Sequence, residues 1–198
     1  LEPKPYQIFV AHRVLQDLHP RHLLADEVGL GKTIEAGLIL KELRARGLAH
    51  RVLIVVPASL REQWKGELDV KFNEEFHIYT GSTIRENRRR HPAENPWLAD
   101  DNIIASLPFA RLQTSKELKR RGYDGATHGI DEAEWDLIIF DEAHHLRRYL
   151  EGETLDSDQR ITKSYHLADA LAQNTRSLLL LTAVPLQHSR YETFSLVE

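Results

Sequence analysis

Apolar residues in this chain come in short bursts separated by longer amphipathic stretches. Six bursts stand out: His22–Ala25, Val52–Val56, Phe76–Tyr79, Ile103–Ser106, Leu137–Phe140 and Ser177–Leu181. Several are apolar throughout rather than alternating. Strands buried on both faces read this way, so the bursts predict a parallel sheet covered by helices. Between them the period changes. Lys32 to Arg46 places Ile34, Leu38, Ile39 and Leu43 on one helical face, with Gly47 positioned to end it. Ser59 followed by Glu62 has the spacing of a capping box after Pro57, opening a helix through Trp64 and Leu68. Leu167 to Ala172 reads as another helix. Arg121 to Glu134 and Tyr149 to Lys163, polar and glycine-bearing, read as surface loops, and Tyr191 to Glu198 as an interrupted helix. Strands alternating with helices argue for an α/β fold.

Composition narrows the class. The 198 residues suit one domain, and a chain of this size buries about 70% of its unfolded surface without staples. Cysteine is absent, which excludes disulfides and thiolate metal sites and fits a reducing compartment. No apolar run approaches the ~20 residues of a membrane span. The formal charge of −4 excludes a polyanion binder by net charge, so any nucleic-acid contact must come from a local patch. Methionine is absent even at position 1, so the chain reads as a piece of a longer protein.

Two segments carry chemistry. Asp26-Glu27-Val28-Gly29-Leu30-Gly31-Lys32-Thr33 follows the first burst and opens a helix. That is the setting of a phosphate loop, in which backbone N–H groups and a helix N-terminus converge on an anion. Lys32 reaches the outer phosphates and Thr33 offers its hydroxyl to Mg²⁺. The common pattern has glycine where this chain has Asp26. Far downstream, Leu137–Phe140 runs into Asp141-Glu142-Ala143-His144. Asp141 is suited to hold Mg²⁺ through water, and Glu142 to orient or deprotonate an attacking water. The reading requires the two segments to meet at neighbouring strand tips around one magnesium triphosphate.

These residues give the chain a resemblance to the first RecA-like lobe of the Swi/Snf family of ATPases, among the superfamily-two helicase-like motors. Five blocks match in order. Pro5-Tyr6-Gln7 resembles the adenine-reading motif, with Gln7 reading the base. Asp26 to Thr33 resembles the nucleotide loop. Val55-Val56-Pro57-Ala58-Ser59-Leu60, followed by Gln63-Trp64, resembles the first strand-tracking motif. Asp141-Glu142-Ala143-His144 resembles the DEAH metal motif. Leu181-Thr182-Ala183-Val184-Pro185-Leu186-Gln187 resembles the motif coupling hydrolysis to movement. The wording from Asp26 to Gly37 looks more like the prokaryotic branch.

The resemblance implies a three-layer RecA-like P-loop NTPase domain with a mostly parallel sheet, residues 1–198 forming the N-terminal lobe of a two-lobe protein. It implies ATP and Mg²⁺ as cofactors, the double-stranded DNA backbone as track, a second lobe of the same chain as partner, a protein complex as remodelling target, and a cytoplasmic, prokaryotic setting without membrane contact. Pro57, Ser59 and Ser106 become DNA-contact candidates, and His144 and Thr182 coupling residues. Val184 stands where the family usually has threonine, which removes a hydroxyl. A strand-separating helicase, a restriction or defence translocase, and a nucleotide-gated protein-binding module stay open as alternatives.

Other features read plainly. Trp64 reads as core packing rather than a base-stacking ring. Arg85, Arg88, Arg89 and Arg90, and then Lys116, Lys119, Arg120 and Arg121, read either as solvated helix faces or as a DNA-facing patch. The 11 histidines lack ligand spacing, and His144 and His145, being adjacent, are expected to point different ways.

Overall fold

The computed structural model describes residues 2–25, 31–123, 128–146 and 162–183. Six strands form one sheet: β1 (Arg21–Ala25), β2 (Val52–Val56), β3 (His77–Tyr79), β4 (Asn102–Ser106), β5 (Leu137–Phe140) and β6 (Ser177–Thr182). Their order is β1-β6-β5-β2-β4-β3, and every pairing is parallel. The helices are α1 (Pro5–Val14), α2 (Lys32–Ala45), α3 (Arg61–Phe72), α4 (Gly81–Arg90), α5 (Leu107–Ala110), α6 (Ser115–Arg120) and α7 (Lys163–Gln173).

The unbroken apolar runs exist because the sheet has two covered faces. Val52, Ile54 and Val56 of β2 join Leu137, Ile139, Leu179 and Leu181 in a core under α1, α2 and α3. Leu53 and Val55 of the same strand join Ile138, Phe140, Leu178 and Leu180 in a second core with α4, α5 and α7. Strand alternation thus sends successive apolar side chains into different cores. Each fully buried Leu, Ile or Val contributes about 1.5–3 kcal/mol relative to exposure. The result is the three-layer α/β architecture that the bursts predict.

Local chemistry sets the helix ends. Gly47, at φ 70°, closes α2, with its amide on the Arg44 carbonyl and Leu48's on that of Leu43. Near α3 the structure departs from the expected capping box. Pro57 directs the chain into a 3-10 turn, Ala58–Leu60, closed by Leu60 N–H on the Pro57 carbonyl at 3.0 Å. The helix then starts at Arg61 with Leu60 as its cap residue and no side-chain cap bond, because the turn consumes the residues the box would use.

The segment Arg121 to Glu134 is also more than a surface loop. Ile130 and Ala133 are fully buried. Asp131 accepts from the Ser115 amide at 2.7 Å, and Asn95 donates to the Gly129 carbonyl at 3.1 Å. A β-carbon on residue 129 would stand 2.2 Å from the Ser115 nitrogen, so glycine there reflects close packing rather than a flexible linker. Residues 124–127 lie outside the described residues, as do the segments 149–161 and 191–198 named above.

Candidate functional site

Because all six strands are parallel, their carboxyl ends share one edge of the sheet. Ligands in open α/β sheets bind along that edge. Register places Ala25 beside Thr182, Leu180 beside Phe140, Phe140 beside Val55, and Val56 beside Ser106. Gly31-Lys32-Thr33, Thr182, Asp141-Glu142, Pro57-Ala58-Ser59 and Ser106 therefore follow or end successive strands along one rim. One correction concerns adjacency. The tips of β1 and β5 are not neighbours, because β6 runs between them. Two strand spacings separate them by about 10 Å, and Thr182 sits in the gap.

Gly31 caps α2 in the left-handed region, at φ 86° and ψ 44°. It accepts the amide of Ile34 at 2.8 Å, which starts the helix. Lys32 and Thr33 occupy the first turn and are half-buried. This is where a helix presents amide donors and the positive end of its dipole to an anion. Asp26, Glu27, Val28, Gly29 and Leu30, read as the rest of the loop, lie outside the described residues. Gln7 is buried on α1, accepts the Lys4 amide at 2.9 Å, and has its side-chain nitrogen against Gly31. The residue read as contacting adenine thus adjoins the residue that opens the phosphate helix.

Asp141 leaves β5 with its amide bonded to the Val55 carbonyl at 2.9 Å. It is 9% exposed. The Trp64 indole N–H donates to Oδ2 at 2.9 Å, and the Glu142 amide donates to Oδ1 at 2.8 Å. Burial pushes this carboxyl above its ordinary value. The bonds from Trp64 and the Glu142 amide and the charge of Lys32 pull the other way, while the charge of Glu142 adds to the rise. The Lys32 charge, acting from the first turn of α2, is the smallest of these influences.

Glu142 itself is left-handed, at φ 52° and ψ 48°. For a residue with a β-carbon this costs roughly 1–2 kcal/mol, and such strain gathers at functional sites. Its Oε2 lies 3.1 Å from His144 Nδ1, which in turn stands 3.4 Å from the Thr182 hydroxyl. The three side chains make a continuous path from the DEAH segment to the end of β6. The rings of His144 and His145 lie 4.2 Å apart, centroid to centroid. The expectation that they point apart fails, because a tight 3-10 turn, Ala143–His145, carries both. Val184 lies outside the described residues.

The residues present fit a cation brought in with phosphates. Among the described residues, no group of three or more His, Cys, Asp or Glu gathers where it could hold a metal ion unaided. A cation here takes most of its ligands from phosphate oxygens and water, as Mg²⁺ does. Asp141, buried at the end of β5, is a carboxyl whose charged form burial disfavours and a nearby cation would favour.

Further along the rim, Pro57 is half-buried, Ser59 is exposed, and Ser106 is only 5% exposed. Ser106 thus offers little surface of its own to a duplex. Trp64 is buried, as core packing requires, but it also bonds Asp141, which sequence pattern does not reveal. The two basic clusters meet. Tyr123 lies 5.6 Å from Arg88 on α4 and 6.0 Å from Arg121 after α6. One surface therefore carries both, with Glu86 and Glu117 its acidic residues on these helices. No described helix is long and apolar enough to cross a membrane.

Comparison with known proteins agrees with this geometry. The family model of the SNF2-related domain matches residues 6–198. Over 191 residues, 96% of this chain, the sequence is 39% identical to the RNA polymerase-associated protein RapA of Vibrio atlanticus. It is 40% identical over the same share to that of Photobacterium profundum. The chain spans 18% of the length of these relatives. In fold it is similar to the Sulfolobus solfataricus SWI2/SNF2 ATPase core in complex with dsDNA, with a TM-score of 0.71 at 20% identity, covering 100% of this chain and 35% of that one. The Sulfolobus solfataricus SWI2/SNF2 ATPase core domain matches with a TM-score of 0.58 at 20% identity, over 94% of this chain and 33% of that one. With a family model that matches nearly its whole length, the chain belongs to the SNF2-related domain family.

Proposed function

We propose that this chain is the ATP-binding lobe of a DNA-dependent ATPase that moves along double-stranded DNA and remodels protein complexes bound there. The observation that carries the reading is that two segments more than a hundred residues apart in sequence follow strands along one edge of the sheet. Lys32 opens α2 after β1 and Asp141 follows β5, with β6 between them and a strained Glu142 next to Asp141.

In this reading Gln7 contacts adenine, and the loop from Asp26 to Gly31 wraps the phosphates. Lys32 neutralises the outer phosphates. Thr33 and Asp141 would hold Mg²⁺, Asp141 through water, and the bound cation would supply screening of the charge that builds on the phosphates. Glu142 orients the attacking water and receives its proton. His144 and Thr182 relay the state of Glu142 to β6 and thence to the chain that follows. DNA lies along the turn Pro57–Ser59, gripped through phosphates and so without sequence preference. Ser106, being buried, contributes through its backbone. The curated relatives are RNA polymerase-associated proteins, which makes a polymerase complex the favoured remodelling target.

A second RecA-like lobe completes the site with an arginine worth about 10³–10⁵ in rate. The 198 residues alone therefore bind ATP–Mg²⁺ weakly and turn it over very slowly. The test is ATPase activity of the longer two-lobe protein with and without nucleic acid. Stimulation by duplex supports the proposal. Stimulation by single strands alone favours a strand-separating helicase. Stimulation by neither favours a nucleotide-gated protein-binding module.

A further inference from the structure

The bond between Trp64 and Asp141 joins segments 77 residues apart, and both partners are buried. A buried indole N–H needs an acceptor, and a buried carboxylate needs donors. Either need could have been met by a backbone group. Here each meets the other, at 2.9 Å. The second donor to Asp141 is the amide of Glu142, its own neighbour in the chain. That bond fixes Oδ1 relative to the turn but cannot tie the carboxylate to the rest of the fold. Among the described residues, Trp64 is the side chain that hydrogen-bonds it.

Trp64 is itself held firmly. It lies one turn into α3, packed with Leu68, Phe72 and Ile54 in the core under α2 and α3. The helix starts directly after the turn Ala58–Leu60, so the indole is five residues from Ser59. We propose that Trp64 is a positioning residue for the divalent cation of the nucleotide site: its N–H holds the Asp141 carboxylate in the orientation that the hydrated cation requires, and it thereby ties the cation site to the α3 segment. The inference rests on the reading of Asp141 as the cation's carboxylate. Partners of this kind are worth about 10–100-fold in metal affinity when removed.

The test is the affinity of the 198-residue chain for a fluorescent ATP analogue, titrated with Mg²⁺ and again in EDTA. Trp64→Phe keeps an aromatic ring in the core and removes the donor. It is expected to reduce the gain in affinity from Mg²⁺ by about tenfold and to leave the affinity in EDTA within about twofold. A purely packing role would lower both together, or lower the melting temperature alone, and either result overturns the proposal. Asp141→Asn in the same titration separates the two claims. If Asp141→Asn abolishes the Mg²⁺ gain while Trp64→Phe retains it, the positioning role is wrong and the site reading stands. If Asp141→Asn retains the gain, the site reading itself is wrong. The unsubstituted chain provides a measurement that needs no variant. The ¹⁵N–¹H signal of the Trp64 indole should move when Mg²⁺ is added with nucleotide, and stay in place with nucleotide in EDTA. A signal indifferent to Mg²⁺ overturns the proposal.

Discussion

The side-chain nitrogen of Gln7 stands 2.5 Å from the point where a β-carbon on residue 31 would lie. Gly31 is thus required twice, by this contact and by its left-handed φ of 86°. Gly31→Ala should displace Gln7 and strain the start of α2, with a backbone cost of roughly 1–2 kcal/mol. Nucleotide affinity and melting temperature should fall together. Gln7→Ala should behave differently, eroding the preference for ATP over GTP more than the affinity for triphosphate. Parallel titrations with the two nucleotides check both.

Gly37, in the middle of α2, packs against the ring of Phe72 on α3. Alanine there gains about 1 kcal/mol in helix propensity, but its β-carbon would lie 2.3 Å from ring carbons. Overpacking of this kind costs about 1–3 kcal/mol, and an aromatic ring yields poorly. Gly37→Ala should lower the melting temperature by several degrees, and the addition of Phe72→Leu should recover part of that drop. A Gly37→Ala chain that melts higher than the parent would show that α3 can retreat freely.

Glu117 links α6 to α7 through Lys163 and pairs with Arg120. The Arg120 bond, against a smaller burial penalty and with help from Lys163, holds its carboxyl below the usual value. A lowered folded-state value means stabilisation that is present above the unfolded value and lost as pH falls through the folded one. Glu117→Gln should therefore lower the melting temperature near neutral pH, and the difference should vanish in acid below the ordinary carboxylate range. A constant difference across that range would assign the effect to packing.

Arg88 and Arg121 flank Tyr123, which brings the basic clusters of α4 and α6 together into one basic surface. If it grips DNA phosphates, replacing Arg85, Arg89 and Lys119 by glutamine should flatten the salt dependence of duplex binding. The log–log slope should fall by about 0.7–0.9 for each phosphate no longer neutralised. An unchanged slope makes the surface a solvated face.

Much of this was legible in the sequence because the sheet is covered on both sides. All six apolar bursts became strands, shifted by at most a residue at an end, since most of their positions are buried, with the exposed Ala25 and His77 confined to the edge strands β1 and β3. The residues of the rim were legible for a related reason. Gly31-Lys32-Thr33 and Asp141-Glu142 each come after an apolar burst, so their place beyond the carboxyl ends of β1 and β5 could be read directly. What stayed hidden depends on pairs distant in sequence. Nothing in the spacing of Trp64 and Asp141 announces their bond, and nothing around Gly37 names Phe72. The strand order was equally silent, which is why β6 was not foreseen between the two halves of the site. Near α3 a local rule lost to a stronger one: Pro57 set the exit from β2 and overrode the Ser59–Glu62 spacing.

Mutations at the rim separate binding from turnover. If Glu142 acts on water rather than on phosphate, as proposed, Glu142→Gln should leave nucleotide binding intact and stop hydrolysis in the proposed two-lobe protein. Normal turnover by that variant would remove Glu142 from the water-orienting role.

The central claim is that Lys32 and Asp141 serve one nucleotide–cation complex from the two sides of β6. Equilibrium titration of the chain with ATP and Mg²⁺ tests it most directly, on the parent, Lys32→Ala and Asp141→Asn. The account predicts saturable binding by the parent, none measurable with Lys32→Ala, and binding by Asp141→Asn that no longer responds to Mg²⁺. Parent-like, Mg²⁺-responsive binding by both variants would contradict it.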